Sequence, residues 1–273
     1  MLAYYKKYVI LICAVSVAVP VVASTLYAMA TGTMLAASLG GMLLSLALLF
    51  GTMMLMQSIV GRRANERTNA LLDLYNQQCD PEAFIEQGRT LANAITVPFG
   101  TDGSWFLTYY GQALLDAGKA DEARATLRSM QQSAEAARRS DVKAGILLNE
   151  APLVAKLEGP QAALALVDEA YQLLGGDAAN VDDQRIVFLK GQRKLLQAEV
   201  EGDDATLRQF YEKAQADASV PERLRVESAW KLARLSYRTG DAATERAMLR
   251  YVIDHGNKLA LVAPARKQLQ ELG

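Results

Sequence analysis

Histidine is almost absent from this chain: His255 is the only one in 273 residues. A histidine-based triad or a multi-histidine metal site therefore cannot be assembled. Cysteine is nearly as scarce, with only Cys13 and Cys79, two distant thiols that do not suggest a disulfide and fit a reducing compartment. A phosphate-binding loop is missing as well. Gly118-Lys119 is followed by Ala120 where that loop needs Ser or Thr, and Ala113 stands where its leading glycine belongs. Neither a dinucleotide-type glycine pattern nor a nucleophile elbow occurs. The acidic pairs Asp182-Asp183 and Asp203-Asp204 fall at expected helix starts, where the helix macrodipole accounts for them. Without convergent catalytic groups the chain is not expected to be an enzyme, nor to carry a cofactor or a metal.

Charge is absent over one long stretch. From Tyr8 to Gly61, 54 consecutive residues carry none, and every acidic residue lies beyond position 61. The 212 residues from Arg62 on hold 27 basic and 30 acidic side chains, a local net charge of -3. A slightly acidic body without a basic stripe excludes nucleic acid as the expected partner. The uncharged run is too long for one crossing of a bilayer, which takes about 20 helical residues. Residues 1–61 are therefore expected to form a two-helix transmembrane anchor, with spans over 8–29 and 34–59 joined around Ala30, Thr31, Gly32 and Thr33. Lys6 and Lys7 precede the run, and Arg62, Arg63 and Arg67 follow it. Positive flanks favour the cytoplasm, so both termini are expected there, in an integral protein of a plasma or inner membrane. The arginines would face anionic headgroups of the lipid bilayer. The competing reading is a signal peptide cleaved at Ala28-Met29-Ala30, which leaves the cytoplasmic placement of the body unchanged. Ala37, Gly41 and Ser45 form a small-residue stripe, suited to packing on the first helix or to association with another chain. Without an ionisable residue in either span, the hairpin reads as an anchor and not as a transporter.

Past Arg62, apolar residues recur at helical spacing, as in Val226, Ala229, Ala233 and Tyr237, and no stretch alternates with period two. Residues 62–273 are expected to be all-α. Five similar breaks punctuate them: Cys79-Asp80-Pro81, Gly118-Lys119-Ala120, Gly159-Pro160, Gly202-Asp203-Asp204 and Gly240-Asp241-Ala242. Glycine suits the left-handed residue that closes one helix; Asp and Pro suit the start of the next. The breaks lie 39, 41, 43 and 38 residues apart, a regular period that predicts about five stacked helix pairs. Loops are expected around Val97 to Gly103 and at Gly175-Gly176-Asp177, a capping box at Ser219 to Glu222, a capping role for His255, and a last short helix over Pro264 to Leu272.

The stretch from Leu107 to Met130 resembles a tetratricopeptide repeat. Gly111 stands where the paired helices touch, Leu114 lies a turn on, Gly118 closes the first helix, and Ala123, Leu127 and Met130 match the second. Residues 229–252 resemble it more loosely through Leu232, Ala233, Gly240, Leu249 and Val252, with Glu245 where Ala is usual. At the hairpins around Gly159 and Gly202, Pro152 and Leu195 replace the expected small residue, and the periods exceed the family's usual length of about 34 residues. The resemblance implies a superhelical stack whose concave face, lined by the first helix of each pair, holds a protein or peptide. It would expose Trp105, Tyr109 and Gln112 in the second hairpin and Trp230, Lys231, Arg234, Tyr237 and Arg238 in the fifth. The alternative is that Val226, Ala229, Trp230, Ala233 and Tyr237 form a core stripe, beside a solvated face of Glu227, Lys231, Arg234 and Arg238. The expected function is a membrane-anchored scaffold or adaptor for protein-protein interaction. The alternative is an accessory subunit that binds other membrane-complex subunits chiefly through its transmembrane hairpin.

Overall fold

The computed structural model describes residues 14–15, 17–23, 25–27, 29–30, 32, 39–176 and 184–272. The fold is all-α, 84% helical, with no strand among the described residues. The chain divides into two units, Met1–Ala70 and Leu71–Gly273.

In the first unit, helical residues occur between 14 and 30, and Gly32 has φ +68° where a turn was expected. Residues 8–13 of the first expected span, Cys13 with them, lie outside the described residues, as do Thr31, Thr33 and Ala37. Helix α1 runs from Leu39 to Asn76. Among the described residues no helix is long and apolar enough to cross a membrane, so the transmembrane hairpin is not supported here. The second expected span is no helix of its own. Its described residues, 39–59, open α1, which continues without a break through Arg62, Arg63, Glu66, Arg67 and Asp73.

The second unit holds the end of α1 and ten further helices: α2 (Pro81–Ala94), α3 (Thr101–Asp116), α4 (Ala120–Ala136), α5 (Ser140–Leu157), α6 (Pro160–Leu173), α7 (Gln184–Glu201), α8 (Asp204–Ala216), α9 (Glu222–Thr239), α10 (Ala242–His255) and α11 (Val262–Glu271). The five breaks read from the sequence are the five hairpin turns. Gly118, Gly159, Gly202 and Gly240 have φ between +71° and +99°. Each lets the residue after it, or the glycine itself, return a hydrogen bond to the helix just ended; Lys119 N–H donates to Leu114 O (2.8 Å) and Asp241 N–H to Ser236 O (2.9 Å). Cys79 takes the same left-handed position at φ +53°, where a Cβ costs on the order of 1 kcal/mol that glycine does not incur. Asp80, Asp203 and Asp241 then open the following helices, their carboxylates accepting the N–H of Ala83, Thr206 and Thr244 (each 3.1 Å).

One capping expectation fails. Helix α9 starts at Glu222 with Pro221 as its cap and no side-chain bond. Ser219 instead donates its N–H and hydroxyl to Asp217 (2.8 and 2.7 Å). The helix start expected at Asp182-Asp183 lies outside the described residues.

From α2 on, successive helices pack along the row, and α3 also packs on α5, the first helix of the next pair. Gly111 makes that second contact possible. A Cβ placed there would lie 2.7 Å from Leu153 of α5, so the close approach joins two hairpins and is not the touch within one that the resemblance implied. One apolar core runs from Leu72, Tyr75 and Phe84 to Val252, Leu259 and Ala265. First and last hairpins therefore share a core, and polar contacts join them: Lys258 N–H to Cys79 O (3.2 Å), Asn257 Nδ2 to Gln78 O (2.7 Å) and Lys258 Nζ to Asp80 (2.7 Å). The row closes on itself.

Candidate protein-binding groove

Helix α9 has two unlike sides. Val226, Ala229 and Ala233 recur at helical spacing and are wholly buried in the main core. Leu232 and Leu235 face a second, smaller cluster with Ala198, Leu207 and Tyr211 of α7 and α8. Trp230 is partly buried against the main core. Tyr237, which the periodicity also admits to the core stripe, is 67% exposed.

The exposed side of α9 borders a groove of about 620 Å³ between α7, α8 and α11. Trp230, Lys231, Arg234, Tyr237 and Arg238, five of the eight residues singled out from the sequence, line it together with Leu207, Tyr211, Leu235 and Pro264. Its charges are mostly committed. Lys231 pairs with Glu199, which also accepts the Tyr211 hydroxyl (2.6 Å). Burial, then the Glu199 hydrogen bond, push the Tyr211 phenol well above its ordinary pKa, so it stays protonated as a donor. Arg238 binds Asp204 (2.6 Å), and Lys267 faces Glu271 at 4.0 Å. Arg234, also exposed, has no hydrogen bond or ion pair among the described residues.

The other three residues lie elsewhere. Trp105 is 39% exposed and meets Tyr109 edge-on, with ring centroids 5.2 Å apart. Gln112 is buried and presents nothing to a partner. None of the three lines the groove.

Sequence reasoning missed a charged network where the row closes. The Tyr75 hydroxyl donates to Asp116; Lys156 lies 3.6 Å from Asp116 and donates to Glu227 (2.6 Å). Arg223 pairs with Glu227 (3.1 Å), donates to Asn76 (3.3 Å) and stacks its guanidinium over Tyr75. Burial alone would raise the pKa of Glu227, but Lys156 and Arg223 outweigh it and hold that carboxyl at about 2. The charges balance, two cations against two carboxylates, so the network ties α1, α3, α5 and α9 together without leaving a charge for a ligand. Glu227, expected on a solvated face, belongs to it. The i,i+4 spacing of Arg223 and Glu227 is a local signal, but Tyr75, Asp116 and Lys156 lie far from that pair in sequence.

One further polar group departs from expectation. His255 lies with Nδ1 3.1 Å from Glu222 and stacks on Tyr251, whose hydroxyl donates to Glu222 (2.8 Å). The end of α10 is closed by backbone instead, Gly256 N–H to Val252 O (2.8 Å). Cys79 is fully buried, and burial with nearby Glu222 pushes its thiol up to about 12. Among the described residues no three His, Cys, Asp or Glu side chains converge so as to hold a metal ion.

Comparisons with protein-family models, with curated proteins and with solved structures give no match.

Proposed function

We propose that the protein is an adaptor that docks a segment of another protein in the α9 groove, on a stack of tetratricopeptide-like helix pairs. One observation carries this reading: Arg234, with no hydrogen bond or ion pair among the described residues, stands between the aromatic residues Trp230 and Tyr237 on the open side of a helix whose other side is core. Exposed aromatic and arginine side chains beside a concavity are the groups that anchor interfaces. The left-handed turns at regular spacing support the repeat kinship. The 54 uncharged residues of the N-terminal region, flanked by lysine and arginine, support a membrane anchor with both termini in the cytoplasm.

Charge reversal of Lys231 or Arg238 would be a poor test, because those residues tie α9 to Glu199 and Asp204 on the neighbouring hairpin. Arg234→Ala and Tyr237→Ala remove groups that hold nothing else in place. Proteins that co-purify with the full chain should be lost from both variants while the helical circular dichroism stays unchanged. Partners retained by both variants but lost on deletion of residues 1–61 would favour an accessory subunit that binds through its N-terminal region.

A further inference from the structure

Four basic residues line the groove, Lys231, Arg234, Arg238 and Lys267, against two acidic ones, Glu199 and Glu271. Pairing refines that difference. Lys231 is neutralised by Glu199, Arg238 by Asp204 from outside the groove, and Lys267 by Glu271. Arg234 is what remains. Trp230 lies one helical turn before it and Tyr237 one turn after, so all three share a face of α9. Pro264 supplies exposed apolar surface in the same groove, which the buried Leu207 and Leu235 also line.

We infer that the segment seated in this groove is acidic, presenting an Asp or Glu side chain to Arg234 and apolar residues to Trp230 and Tyr237. The inference rests on the docking reading above and adds the chemistry of the occupant. A guanidinium offers two parallel N–H donors that match a carboxylate. A basic segment would set like charges against Arg234. A neutral segment would leave the guanidinium without a counter-ion inside the interface, where unpaired charge is penalised.

Three pools of short fluorescent peptides, equal in Leu and Phe content, test this against the full chain by fluorescence anisotropy. Their remaining positions are Asp/Glu, Asn/Gln or Lys/Arg. The acidic pool should bind about tenfold more tightly than the neutral one, the factor expected for one charge-assisted hydrogen-bonded pair, and the basic pool most weakly. Arg234→Glu should invert that order, and Tyr237→Ala should weaken the acidic and neutral pools alike. Equal binding of acidic and neutral pools, both lost in Tyr237→Ala, would overturn the acidic occupant and leave the groove as a docking site. Acidic-pool binding that survives Arg234→Glu would overturn the inference by placing the contact elsewhere. If no pool binds, or if the chain binds anionic vesicles through Arg234 and none of the peptides, both readings fall.

Discussion

The guanidinium of Arg223 lies 4.7 Å from the centre of the Tyr75 ring, so a residue near the start of the helical row is held by one on its ninth helix. That contact, with the Glu227 and Asn76 bonds of the same arginine, makes the row of hairpins a closed body. A helical stack is expected to gain its stability from contacts between neighbours. Here the first and last hairpins are neighbours too.

Removal of the guanidinium should therefore be costly. Arg223→Ala strips Glu227 of one buried partner and uncovers Tyr75, and breaking a buried pair from one side costs about 3–5 kcal/mol. Denaturant unfolding followed by circular dichroism checks it. The double replacement Arg223→Met with Glu227→Gln should recover a large part of the loss, because no lone buried charge is left.

Glu150 gives stability a pH dependence. Its side chain is buried, one of its oxygens has no hydrogen-bond partner, and burial, reinforced by Glu169 and Glu135, raises its carboxyl to about 7. A carboxyl near 4.5 when unfolded and near 7 when folded lets the folded state bind the extra proton in between. Its contribution is therefore best below pH 4.5, and stability falls as pH rises towards 7. Glu150→Gln should flatten that decline and stabilise the protein at pH 8 by up to about 3 kcal/mol, with little change at pH 4. Equal unfolding curves for the two proteins across that range would refute the assignment.

Cys79 should resist alkylation. Its thiol is fully buried and raised to about 12, and reactivity requires an exposed thiolate. Labelling of the folded full chain at that position by iodoacetamide at pH 8 should wait for denaturant. Immediate labelling there would mean that the first turn is not docked on Asn257 and Lys258.

The turns were legible because their chemistry is local. A left-handed residue followed by Asp or Pro ends one helix and starts the next whatever surrounds it, and even Cys79 could be placed by its spacing and the Asp80-Pro81 that follow. The closure was not legible. Arg223 and Glu227 pair at i,i+4 on one helix, but Tyr75, Asp116 and Lys156 come from three others, and nothing near that pair in sequence announces them. Tyr237 shows the same limit at a smaller scale. Periodicity admits it to the core stripe of α9, but the neighbouring helices leave it exposed beside the groove. At Ser219 local chemistry misled, since Asp217 captured the serine that was expected to cap α9. The apolar stretch before Arg62 was read as a span that ends there, yet its helix runs on to Asn76.

The two tryptophans allow a direct measurement of where a ligand binds. Trp230 lines the groove and Trp105 does not. In full chain carrying Trp105→Phe, titration with the acidic peptide pool should shift the remaining tryptophan emission in a saturable way, and in Trp230→Phe the emission of Trp105 should stay constant. The opposite pattern, a shift that follows Trp105 and leaves Trp230 unmoved, would contradict binding in the α9 groove.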